Sequence, residues 1–162
     1  MGADLFADGE KAPEFLVWAQ KDIHSAPLQR VQIVKGTITN SGARPSEQVF
    51  DVVCSDGMEV DPTTHRCPDN GARVNIEDCS ITNNVGATEL KATWKDPEFN
   101  PKNKAFYYVR VLENPTCRWS TWDALKAGVK PRSDLHKTIQ ERAWSSPIWY
   151  IPIPEDIDIF AL

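Results

Sequence analysis

The sequence predicts a mainly β protein: an antiparallel β-sandwich of immunoglobulin-like type, with long loops and one or two short helices. Three observations carry that expectation. Twelve prolines and eight glycines punctuate the 162 residues too often for long helices. Short runs rich in β-branched and aromatic residues recur between turn-forming stretches. Six tryptophans within a 41% apolar composition require a packed interior rather than disorder. A chain of this length builds one core, not two.

Residues 1–13 carry Asp4, Asp8, Glu10 and Lys11, which break any apolar core of signal-peptide type, and read as a linker from an upstream domain. The sandwich is expected over 14–151, with a cysteine-rich loop at 54–79 and a C-terminal tail at 152–162. Phe15–Ala19 is a short apolar run whose aromatic content favours a strand buried on both faces. Val31–Lys35 and Thr37–Thr39 form a β-branched strand, Asn40-Ser41-Gly42 a turn, and Gln48–Cys54 the returning strand of a hairpin. Phe50, Val52 and Cys54 then share one face, and Val49, Asp51 and Val53 the other. Leu90–Lys95 alternates with Leu90, Ala92 and Trp94 inward. Asp96-Pro97 stops that strand and Asn100–Asn103 turns the chain into Ala105–Leu112, which predicts a second hairpin. Ser120 is placed to cap a short helix, with Asp123 at its third position and Gly128 closing it. Gln140–Arg142 lead into the last strand, Ala143 to Ile151, where Pro147 denies a ladder hydrogen bond, so that strand should lie at an edge or bend there. The tail alternates isoleucine with acidic residues and offers a surface for a neighbour or for a second copy of the chain.

The charges, 18 Lys+Arg against 23 Asp+Glu, give a net −5. That balance excludes a global basic footprint for nucleic acid and argues against a polybasic membrane surface. No apolar run reaches the roughly 20 residues of a membrane span. Cys54, Cys67, Cys79 and Cys117 include no C-x-x-C pair, so disulfides outweigh zinc, and disulfides imply an oxidising compartment. Three pairings exist. Cys54 with Cys67 and Cys79 with Cys117 is favoured, since it closes the turn-rich loop and ties it to the later chain.

Catalytic motifs are sparse. His24, His65 and His136 stand apart with no H-x-H or H-x-x-x-H spacing and read as surface histidines; a small hydrolase built on them is the least favoured function. There is no G-x-S-x-G elbow and no glycine-rich phosphate cradle. Asp56, Asp61, Asp69, Glu77 and Asp78 crowd the cysteine loop without calcium-loop spacing and read as solvated carboxylates. Trp119, Trp122, Trp144, Trp149 and Tyr150 are the other concentration of interest. Buried, they pack the small helix against the last strand, which is the favoured reading. Exposed, they form a platform for glycans or a protein partner.

Three stretches carry a resemblance: MGADL with KAPEFLVWAQKDIHSAPLQRVQIVKG (Lys11 to Gly36), GATELKATWKDPEFNPKNKAFYYVRVLENPTCRWSTWDA (Gly86 to Ala124), and TIQERAWSSPIWY (Thr138 to Tyr150). In order and spacing they resemble the C-terminal region of the domain-of-unknown-function 3604 family, whose members are similar to metal-dependent hydrolases of the polymerase-and-histidinol-phosphatase type. The resemblance implies a parent enzyme, periplasmic or extracellular, with a divalent metal held by an N-terminal barrel. None of the family's metal motifs has a counterpart here, so no cofactor and no catalytic residue is carried over. The implied role is a non-catalytic accessory domain that packs on and stabilises that barrel. A glycan- or protein-binding module is the alternative.

Overall fold

A computed structural model of the chain describes residues 2–6, 11–38 and 44–152. In chain order the elements are β1 (Ala3–Phe6), β2 (Glu14–Gln20), β3 (Leu28–Ile38), β4 (Ser46–Cys54), β5 (Glu89–Lys95), β6 (Lys104–Glu113), β7 (Thr116–Cys117), α1 (Trp119–Lys126), β8 (Thr138–Ile139), β9 (Arg142–Trp144) and β10 (Ile148–Ile151). The architecture is a β-sandwich. A large sheet runs β1-β10-β6-β3-β4, with β9 also paired to β6, and a two-stranded β2-β5 sheet packs on its inner face. The core joins Val31 and Ile33 of β3, Tyr107 of β6 and Tyr150 of β10 to Val17 and Leu90 of the small sheet. Fully burying each such side chain stabilises the fold by about 1.5–3 kcal/mol.

The first hairpin has the expected form: β3 and β4 pair antiparallel from Arg30↔Cys54 to Thr37↔Ser46. Its turn at Asn40-Ser41-Gly42 lies outside the described residues, as does the tail from residue 153. The second expected hairpin does not form. β5 pairs β2, and β6 pairs β3, β9 and β10. The connection crosses between the sheets because Asp96, just after β5, is drawn inward by Lys35 and Tyr107 of the large sheet.

Burial on both faces belongs to β3, where Val34 and Gln32 are covered as well as Val31 and Ile33. β2 instead alternates. Phe15, Val17 and Ala19 face the core, whereas Leu16 and Trp18 are 75% and 67% exposed. Within the expected linker, Ala3–Phe6 adds a parallel strand beside β10.

Helix α1 starts one residue before Ser120. Arg118 occupies the cap position without a side-chain bond, and no acidic residue lies in the first turn. Its end is as expected: Gly128 at φ 65° donates to the Leu125 carbonyl and Val129 donates to that of Ala124, a Schellman closure. Pro147 divides the last strand into β9 and β10, which meet β6 at separate registers.

Disulfides join Cys54 to Cys67 and Cys79 to Cys117, the pairs favoured from the sequence. The Cys54–Cys67 loop covers the outer edge of β4, where Asp51 N–H donates to the His65 carbonyl at 2.9 Å. Replacing both cysteines of this pair by serine should cost about 3 kcal/mol, the chain-entropy value for so short a loop. Urea denaturation of the variant beside the oxidised parent measures it.

Candidate functional site

The five aromatic residues singled out in the sequence separate into three places. Tyr150 is core: it is 3% exposed, its hydroxyl donates to the Pro101 carbonyl at 3.0 Å, and its ring meets Phe99 edge-on. Burial pushes its phenol pKa up. The four tryptophans are not core. Trp119 and Trp122 stand on helix α1 at 67% and 42% exposure, and Trp144 and Trp149 on β9 and β10 at 60% and 46%. The expectation that this set packs internally is therefore corrected for all but Tyr150. The reason is architectural: the core is filled from the β2-β5 side, and these tryptophans lie on surfaces that no described element covers.

Trp144 and Trp149 join Phe106, Tyr108, Ser145 and Pro147 around an open groove of about 320 Å³ on the outer face of the large sheet. Cross-strand register builds it. Phe106 lies opposite Trp149, and Trp144 lies opposite Arg110, two positions beyond Tyr108 on the same face. Phe106 and Trp149 rings are 5.3 Å apart at 55°, while Phe106 and Tyr108 rings are nearly parallel, 9° apart in tilt, at 6.3 Å. Pro147 makes the break that sets the two tryptophans at separate heights. Ser145 fastens that break, since its N–H donates to the Val109 carbonyl at 3.0 Å and its Oγ accepts the Val109 N–H at 2.9 Å.

Gly36 of β3 lies beneath the Phe106 ring. A Cβ there would fall 2.2 Å from the Phe106 ring, so only glycine lets that ring lie flat across β3. Phe106 and Tyr108 fall within the strand expected over Ala105–Leu112 and had no role assigned from the sequence. The period-2 alternation of β6, taken with the lone glycine in β3, is the signal that marks them. The lining carries no charged group, so the groove offers ring stacking and apolar contact rather than acid-base chemistry.

The aspartates of the cysteine-rich loop are held by hydrogen bonds. Asp56 accepts the Gly86 N–H, and Asp61 accepts those of Thr63 and Thr64. The Thr64 and Thr63 N–H groups hold the Asp61 carboxyl below its ordinary range, the Arg73 guanidinium does so for Asp69, and Ser80 for Asp78. Asp61, Asp69 and Asp78 tie their own turns, and Asp56 ties the start of the loop to Gly86. Glu77 is exposed, its N–H donating to Asn75.

The three histidines are not brought together. His65 packs its ring on Phe50 at 5.1 Å, the His24 backbone bonds Asp22, and His136 is exposed. Among the described residues no three His, Cys, Asp or Glu side chains converge as metal ligands.

Two buried polar clusters were not foreseen. Lys35 lies 2.7 Å from Asp96, which also accepts the Tyr107 hydroxyl at 2.7 Å. Burial first, and Asp96 second, push the Tyr107 phenol pKa far up, so it stays a neutral donor. Asp51 gathers Arg30, Gln32 and the Cys67 N–H. Both clusters bind one part of the sandwich to another.

The profile of the family described as "Protein of unknown function (DUF3604)" matches residues 1–152. Neither the curated proteins nor the solved structures contain a match to the chain. With nearly its whole length matched by that profile, the chain belongs to the DUF3604 family.

Proposed function

We propose that this chain is a non-catalytic, C-terminal accessory β-sandwich of an exported metal-dependent hydrolase, packing on the catalytic barrel and stabilising it. The observation that carries this reading is the uncovered groove of Phe106, Tyr108, Trp144 and Trp149. A contiguous aromatic face without charge is costly to leave in water and suits a partner surface that excludes it. Two disulfides support an oxidising compartment outside the cytosol. The catalytic metal then belongs to the barrel, in keeping with the resemblance of this chain to the region that follows it.

The test is association of this chain with the separately produced catalytic portion of its parent. Trp144→Ala with Trp149→Ala should weaken association by about 30-fold or more, the scale of a tryptophan hot spot. Trp144, 60% exposed with no ring contact among the described residues, should change stability by less than about 0.5 kcal/mol, and Trp149, which packs on Phe106, by about 0.5–1.5 kcal/mol, so the variant stays folded. Unchanged association in the folded variant would reject the groove as the interface.

One observation favours a second reading, a glycan- or protein-binding module. The near-parallel Phe106 and Tyr108 rings present aromatic faces of the kind on which sugars stack. A shift of tryptophan emission on adding soluble oligosaccharides, absent in the same variant, would select it.

A further inference from the structure

The segment from Thr116 to Ile139 leaves the sandwich and returns beside its own start. Thr116 pairs Ile139, Cys117 pairs Thr138, and the Cys79–Cys117 disulfide fixes the base. Within it, helix α1 is seated by Thr121, which is 1% exposed and donates its hydroxyl to the Lys137 carbonyl at 2.8 Å. At 100° per residue the opposite side carries Trp119, Trp122, Asp123 and Lys126, all exposed. Val129 and Ile139, at 59% and 37% exposure, extend the apolar part. No ring contact holds either tryptophan among the described residues.

The charge of this segment departs from that of the chain. It holds five Lys and Arg against two Asp and Glu, a net +3 in a protein of net −5, so the remainder carries −8. Arg132 pairs Asp134 at 2.6 Å, leaving Arg118, Lys126, Lys130 and Lys137 without an ion-pair partner among the described residues. The overall balance that argues against a polybasic membrane surface averages over this contrast. Charges more than about 8 Å away are screened at physiological ionic strength, so a bilayer meeting this end senses the local +3 first.

We propose that helix α1 and its return loop dock on an anionic lipid surface. Exposed tryptophans settle at the headgroup boundary, and lysines reach lipid phosphates over their long stems. Val129 and Ile139 have no π face for a sugar but suit the acyl boundary, which favours a bilayer over a soluble anionic glycan. The site is separate from the Phe106–Trp149 groove and goes beyond the accessory role.

The experiment is co-sedimentation of the oxidised chain with two kinds of vesicle: phosphatidylcholine alone, and equal parts phosphatidylcholine and phosphatidylglycerol. Binding is expected only to the second, with a blue shift of tryptophan emission. Lys126→Glu with Lys130→Glu should weaken it at least about 25-fold, taking roughly fivefold for each surface-proximal charge. Trp119→Ser with Trp122→Ser should abolish the blue shift. Lys137→Glu is the independent third variant, and an unchanged thermal midpoint certifies each fold. Trp144→Ala with Trp149→Ala should bind as the parent does, which separates this proposal from the groove. Absence of binding to anionic vesicles, equal binding to both kinds, or retained binding in folded helix variants would overturn it. Preference for soluble dextran sulfate over vesicles would also overturn it, assigning the patch to an anionic glycan.

Discussion

Replacing Lys35 by methionine is expected to destabilise the fold by about 3–5 kcal/mol, the cost of leaving one partner of a buried ion pair alone. Lys35 reaches Asp96 at 2.7 Å and the Glu98 carbonyl at 2.7 Å, and the Asp96 side chain is fully buried. Without the ammonium, Asp96 keeps only the Tyr107 hydroxyl and the Glu98 N–H as donors. The Asp96 carboxylate is then left in a fully buried position without an ion-pair partner. Because the pair joins β3 of the large sheet to the end of β5, it locks the two layers together. Denaturant titration of Lys35→Met beside the parent measures the loss. Restoration of part of the loss by Asp96→Asn in the same background would confirm the cause.

Asp51→Ala should have a comparable effect, again about 3–5 kcal/mol. Its side chain is fully buried and accepts from Gln32 at 2.5 Å, from Arg30 at 3.0 Å and from the Cys67 N–H at 2.7 Å. Arg110 extends this chain by donating to Gln32 at 2.7 Å. Alanine would leave a guanidinium, an amide and a backbone N–H short of an acceptor at once. Since Asp51 and the Cys54–Cys67 disulfide hold the same loop, their losses should combine by less than their sum. Limited proteolysis should show earlier cleavage within residues 59–66 in Asp51→Ala than in the parent. Unchanged unfolding and unchanged cleavage would remove Asp51 from the account.

The features legible in the sequence are those set by local chemistry. The β3-β4 hairpin, the Gly128 helix end and the break at Pro147 each follow from residues that have few conformations to choose from. The disulfide pairing also follows, because the turn-rich stretch between Cys54 and Cys67 brings its ends together. What could not be read are partners. The alternation of Leu90–Lys95 fits a strand in any sheet, and nothing within it names β2 rather than β6. Strand β2 reads as doubly buried because Leu16 and Trp18 are apolar, yet an apolar residue does not state whether its own fold or another surface covers it. The same ambiguity misplaced four of the five aromatic residues. The groove needs the register of β6 against β9 and β10 and a glycine on a fourth strand, a conjunction spread over more than 100 residues. The buried Lys35–Asp96 pair was hidden for the same reason, since each residue alone reads as a solvated charge.

The proposal that this domain serves a larger exported enzyme is tested by an immunoblot of source-organism fractions with antibody raised against this 18.2 kDa chain. A band far above that mass in an extracytoplasmic fraction is expected. A band at the mass of the chain itself would contradict it, and the groove would then be the site of a protein that acts alone.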